Sequence, residues 1–127
     1  METRAQDTLM SAADAYQALR AGAITLIDVR SAQEWRAEGI PSGALPVSIH
    51  QAGGPRAFYE AVLAATGGDK QRPVALICAS GVRSGYAQRL LAAAGFTTLW
   101  NVAEGMEGSR YGPGWRRQSL PTTPWTP

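Results

Sequence analysis

Cys78 is the only cysteine in the chain, and the residues on either side of it suit a sulfur nucleophile. Val74-Ala75-Leu76-Ile77 reads as a short buried strand that ends directly at the sulfur. Ala79-Ser80-Gly81-Val82-Arg83 follows as a small-residue loop. A helical pattern then begins near Ser84, with Ala87, Leu90, Leu91 and Ala94 spaced to form one apolar face. A strand, a tight loop and a helix start, in that order, gather several backbone N–H groups around one point. The helix end adds partial positive charge there. Such a loop holds an anion, and the thiolate is the nucleophilic form of a cysteine. A lone cysteine is often just a small buried hydrophobe. Its place between an apolar strand and a glycine-containing loop, rather than within a helix face, favours the reactive reading.

The neighbouring polar residues have two readings each. Arg83 closes the loop, where its guanidinium either draws in an anionic donor or ties the loop to a carboxylate such as Asp28 or Glu34. Ser80 and Ser84 either donate hydroxyl hydrogen bonds to a bound sulfur or cap the helix, and for Ser84 the cap is the simpler role. Gly81 gives the backbone freedom that a tight loop needs. Asp28 and Arg30 follow a second strand as charged crevice residues or, the preferred reading, as an ion pair that supports the loop from behind. His50 reads as a surface or edge-strand residue. Trp35, Phe58 and Trp100 read as core.

These residues need a scaffold, and the pattern around them supplies one. Ser11 with Asp14 opens a helix over 12–20 that stops at Gly22, and 25–29 is a β-rich run. Ser31 with Glu34 repeats the capping signal for a short helix to about Glu38. A turn over 39–43 leads to a strand candidate over 45–49. Gly53-Gly54-Pro55 breaks the pattern, with Pro55 expected at the first position of a helix whose inward face carries Phe58, Val62 and Ala65. Thr66-Gly67-Gly68-Asp69 ends that helix, Gly95 stops the next one, and 98–102 is the last strand. Strands alternating with short helices argue for an α/β domain with a mainly parallel sheet, whose ligand crevice lies at the carboxyl ends of the strands. Cys78 and Asp28-Val29-Arg30 both fall at such ends.

The chain has 127 residues, enough for one domain, with 45% hydrophobic and 17% charged side chains, a globular balance. A formal charge of +2 with no dense basic face argues against nucleic acid, and is compatible with small anionic substrates. One cysteine and one histidine leave no disulfide framework and no Cys/His metal site. No stretch has the length of a membrane span, and residues 1–7 lack the apolar core of a secretory signal, so a cytoplasmic protein is expected. Residues 1–110 are expected to form a single domain. Residues 111–127, with Trp115, Trp125 and several prolines, read as a tail packed on it.

Cys78-Ala79-Ser80-Gly81-Val82-Arg83-Ser84 resembles the active-site loop of rhodanese-type sulfurtransferases, in the Cys-x-x-Gly-x-Arg-Ser form of single-domain members. Leu26-Ile27-Asp28-Val29-Arg30, followed by Glu34-Trp35, resembles the family's first signature, and Gly39-Ile40-Pro41-Ser42-Gly43-Ala44 the turn after it. Gly95-Phe96, Leu99-Trp100-Asn101-Val102 and Gly105-Met106 resemble the closing segment. The chain departs from the pattern where Gly39 replaces a histidine, where Ser42 is inserted, and where Glu104 and Ser109 replace a glycine and a tryptophan.

The resemblance implies a rhodanese-like α/β fold with a mainly parallel central sheet and helices on both faces. It implies a sulfurtransferase in which Cys78 attacks the sulfane sulfur of a donor such as thiosulfate, holds it as a persulfide and yields it to cyanide or a thiol. Ala79, Ser80, Gly81, Val82, Arg83 and Ser84 would bind the substrate, with backbone N–H groups from Ala79 to Arg83 stabilising the persulfide. Asp28 and Arg30 would be supporting residues, and no cofactor or metal is expected. The implied partners are a small sulfur-containing anion, a thiol acceptor and a protein sulfur acceptor, without nucleic acid or membrane. Two alternatives stand beside this: a sulfur-carrier or persulfide-sensing module acting with a protein partner, and phosphatase or arsenate reductase chemistry on the same cysteine. The related cysteine phosphatases use a loop one residue longer, sized for a tetrahedral oxyanion, which favours the sulfur reading.

Overall fold

The structure, a computed structural model, describes residues 8–127. In chain order its elements are α1 (Ala12–Arg20), β1 (Thr25–Asp28), α2 (Ala32–Glu38), β2 (Ile40–Pro41), β3 (Leu45–Pro46), α3 (Gly54–Ala65), β4 (Val74–Ile77), α4 (Val82–Ala93), β5 (Leu99–Asn101) and β6 (Thr122–Thr123). Four of the strands form a parallel sheet in the order β3-β1-β4-β5. Ile27 lies opposite Leu45 on one side and Leu76 on the other, and Leu76 lies opposite Asn101. Among the described residues no helix is long and apolar enough to cross a membrane.

Both faces of the sheet are covered, which explains why its strands read as continuous apolar runs rather than alternating ones. Successive strand residues point to opposite faces. Val74, Leu76 and Cys78 therefore join Ile27 and Val29 against Phe58 and Val62 of α3 and Ala87 and Leu91 of α4. Ala75, Ile77 and Leu26 face the other way, against Ala12 and Ala15 of α1, Met106 and Trp115. The α/β architecture and the parallel sheet expected from the sequence are present.

Local chemistry explains most boundaries and some differences from the expected ones. Ser11 and Ser31 accept from the N–H groups of Asp14 and Glu34, and Ser31 with Glu34 completes a reciprocal capping box. The expected strand over 45–49 is shorter, Leu45–Pro46 at the edge of the sheet, where the missing N–H of Pro46 costs no bond to β1. Its continuation still donates from Val47 and Ile49 to the carbonyls of Asp28 and Val29. Gly54, not Pro55, is the first residue of α3. Ile40–Pro41, expected as part of a turn, pairs antiparallel with Thr122–Thr123, a contact between segments too far apart for any local pattern to reveal. Trp100 is half-buried rather than core.

Candidate active site

β4 ends one residue before Cys78, and α4 begins four residues after it, at Val82 rather than near Ser84. The turn between them depends on Gly81, whose φ of +95° lies in the left-handed region that other residues rarely adopt. A Cβ there would also collide with the carbonyl oxygen of Ala103. Across the loop, Gly105 (φ +71°) packs so closely on Ala79 that a Cβ would strike the Ala79 carbonyl. Met106 and Glu107 donate backbone hydrogen bonds to the carbonyls of Cys78 and Ala79 at 2.8 and 2.9 Å. The loop is thus interlocked with the turn after β5.

The loop folds around the sulfur. Cys78 Sγ accepts from the N–H of Gly81 at 3.1 Å and the N–H of Ser84 at 3.3 Å, and lies 3.2 Å from Ser84 Oγ. Ser84 is therefore not the helix cap. It stands on the third residue of α4, fully buried, and turns its hydroxyl toward the sulfur, while the cap position belongs to Gly81, which has no side chain to give. The N–H groups that reach the sulfur come from Gly81 and Ser84, one of them just beyond the expected Ala79–Arg83 span. Cys78 is 1% exposed, so only a narrow end of a substrate can approach it. Ser80 and Val82 face outward, Val82 to 77%.

Asn101 is a residue that the sequence alone did not mark for this role. From β5 it accepts from Ser84 Oγ at 2.6 Å and donates to the carbonyl of Gly81 at 3.1 Å. It clamps both ends of the turn that holds the sulfur. The available signal was a polar residue at an inward strand position, two residues from buried Leu99. Nothing in the chain order indicated that Ser84 would be its partner.

Arg83 takes the second of its two readings. Its guanidinium forms a two-pronged pair with Glu34, at 2.6 and 2.8 Å, and ties the loop to α2. That hydrogen bond, helped by those from Ser31, holds the Glu34 carboxyl down at about 2 against a partial opposing effect of burial. The same bond raises the already high value of Arg83.

Asp28 and Arg30 are wholly buried and do not line a crevice. Arg30 bonds both Asp28 oxygens through Nε and the terminal nitrogen, and also reaches Glu38 at 2.6 Å and the Gly39 carbonyl at 2.8 Å. Burial alone would lower the Arg30 value, but the hydrogen bond and charge of Asp28, with Glu38, raise it. The pair pins the end of α2, and α2 in turn presents Glu34 to Arg83. His50 is exposed and away from these contacts.

The family model for the rhodanese-like domain matches residues 11–110 of this chain. An uncharacterized protein of Rickettsia prowazekii is 29% identical over 101 residues, covering 76% of this chain and 80% of the relative. The solution structure of a polysulfide-sulfur transferase homodimer from Wolinella succinogenes superposes with a TM-score of 0.70 at 31% identity, covering 94% of this chain and 80% of the other. A human single-domain sulfurtransferase superposes with a TM-score of 0.59 at 28% identity, covering 76% and 89%.

Proposed function

This chain belongs to the rhodanese-like domain family, and from that membership we propose that it is a sulfurtransferase carrying sulfane sulfur on Cys78. The observation that supports this most directly is the pair of backbone N–H donors on the sulfur, with the buried Ser84 hydroxyl 3.2 Å away and no histidine among its partners. Such donors stabilise an anionic sulfur without a general base. They suit the attacking thiolate and the persulfide that loading leaves on Cys78.

In the first step the Cys78 thiolate attacks the outer sulfur of a donor such as thiosulfate. An S–S bond forms to Sγ, the donor's own S–S bond breaks, and sulfite departs with the electron pair. A polysulfide is a second donor class consistent with the same step. In the second step an acceptor, cyanide or a thiolate, attacks the outer sulfur and returns Cys78 as thiolate. No net oxidant or reductant is needed. Arg83, already paired with Glu34, acts as a brace for the loop rather than as a free anion receptor.

The test is intact-protein mass spectrometry before and after thiosulfate or polysulfide, on wild type and on Cys78→Ser. A gain of one sulfur atom on the wild type alone, removed by cyanide or thiol, is the expected result. Uptake without release to any small acceptor would identify a carrier module instead. No uptake, together with Cys78-dependent hydrolysis of an aryl phosphate, would overturn the sulfurtransferase reading in favour of phosphatase chemistry.

A further inference from the structure

Asn101 clamps the sulfur loop through its side chain, and its own backbone is held by contacts that the steps above do not use. β5 is the last strand of the parallel sheet, and residues 8–10 run parallel to it along its outer edge, through a bridge between Leu9 and Asn101. The Asn101 N–H donates to the Thr8 carbonyl at 2.9 Å, and the Met10 N–H donates to the Asn101 carbonyl at 3.1 Å.

Gln88 of α4 fastens this edge from within. It is 1% exposed and lies one helical turn after Ser84, on the same side of the helix. Its amide donates to the Thr8 carbonyl at 2.8 Å and to the Leu99 carbonyl at 3.3 Å. The Thr8 carbonyl thus receives one hydrogen from the Gln88 side chain and one from the Asn101 backbone. Gln88 fixes residues 8–10 against β5, and with them the point from which the Asn101 side chain starts. A methionine would fill a similar volume without binding either carbonyl, so packing alone does not account for a buried amide here.

Gly85 supplies a second, independent observation. It stands inside α4, where glycine weakens a helix relative to alanine, and its backbone is not in the left-handed region that would call for glycine. A Cβ at this position would stand 3.2 Å from Asn101 Nδ2, the atom that donates to the Gly81 carbonyl. The missing side chain leaves room for that amide.

We propose that Gln88 and Gly85 are positioning residues for sulfur transfer, acting through Asn101. Gln88 sets the Asn101 backbone and Gly85 gives the Asn101 amide its space, so that Asn101 holds the Ser84 hydroxyl and the Gly81 turn in register with the sulfur. This rests on the sulfurtransferase reading and extends it to residues that never meet the substrate. The line of contact is short: Asn101 Oδ1 is 2.6 Å from Ser84 Oγ, which is 3.2 Å from Sγ.

Loading from thiosulfate is followed by rapid-quench mass spectrometry for wild type, Gln88→Met, Gly85→Ala, Asn101→Ala, and each of the first two variants combined with Asn101→Ala. Ile24→Ala, a core change ahead of β1, is the destabilised reference. Gln88→Met and Gly85→Ala are each expected to lower the saturated loading rate about fivefold, with half-saturating thiosulfate within about twofold of wild type. In the Asn101→Ala background neither is expected to slow loading by more than about twofold further, because the residue they act through is gone. Ile24→Ala should lower the urea midpoint and leave the rate unchanged. Additive losses in the double variants, or a wild-type rate in either single variant, would overturn the proposal.

A second measurement needs no sulfur chemistry. The Asn101 side-chain NH₂ signals are followed by NMR in unloaded wild type, Gln88→Met and Gly85→Ala. In both variants they are expected to shift, together with the Gly81 and Ser84 amides, and to exchange with water about tenfold faster, while the amides of α1 stay in place. Unchanged Asn101 signals overturn the proposal whether or not the protein loads sulfur. If wild type takes up no sulfur and the signals move as expected, the sulfurtransferase reading fails and the seating of Asn101 by Gln88 and Gly85 stands.

Discussion

Ser84 has one hydroxyl proton and two neighbours that want it. In the thiol form, Cys78 can donate to Ser84 Oγ while Ser84 donates to Asn101. Once the sulfur is anionic, the hydroxyl must be shared between Sγ and Asn101 Oδ1. Removing it leaves the sulfur with N–H donors only and the Asn101 oxygen without its partner. Ser84→Ala is expected to fold, to lose about 1–2 kcal/mol by urea denaturation, and to load sulfur roughly tenfold more slowly in a rapid-quench mass assay. Asn101→Asp retains an acceptor for Ser84 but gives up the Nδ2–H bond to Gly81 and places a negative charge near the sulfur. It is expected to slow loading as well, through repulsion of an anionic donor, and the defect should shrink as salt is raised. At this scale the sequence was informative about identity and not about geometry. Cys78 and its loop stood out because strand, glycine and helix signals adjoin in the chain. The inward turn of Ser84 did not, because helix starts are read from cap residues and here the cap position is a glycine.

The elements behind the loop form a relay of charge. Buried Asp28 and Arg30 secure the end of α2, α2 presents Glu34, and Glu34 holds Arg83 at the start of α4. Because Glu34 titrates at about 2 in the fold against an ordinary 4.5, the pair contributes stability that is complete above the ordinary value. That contribution is lost as pH falls from about 4.5 through about 2. Glu34→Gln should therefore cost about 1 kcal/mol near neutrality, with the gap to wild type narrowing in urea titrations as pH drops below about 4. Asp28→Ala strips the buried Arg30 of its fully buried carboxylate partner and should cost about 3–5 kcal/mol while sparing Cys78 itself. Element order was legible from capping pairs and apolar runs, since both are local. Which carboxylate would hold Arg83 was not legible, because Asp28 and Glu34 are both close in the chain and only the rotation of α2 decides between them.

At the scale of the molecule, the segment after residue 110 contributes to the core. Trp115 is fully buried, meets Tyr16 edge-on at 5.9 Å and donates from its indole to the Pro121 carbonyl at 2.9 Å. Glu104 is buried beside it and accepts from the N–H groups of Ala12 and Gly114 and from Gln118, joining α1 to the closing segment. Trp115→Ala is expected to destabilise the fold by about 3–5 kcal/mol in urea melts. The prolines and tryptophans marked this segment as distinct, but its pairing with β2 and its place against α1 are long-range contacts that no local pattern encodes.

The interlock between the sulfur loop and the turn after β5 bears on how such a protein can change its chemistry over generations. Gly81 presses on Ala103 and Gly105 on Ala79, so neither segment can swell alone. A lineage that lengthens the loop by one residue must redraw the facing turn in the same interval, or pass through a misfolded ancestor. The two stretches, separated in the chain by α4 and β5, are bound to be inherited as a matched pair.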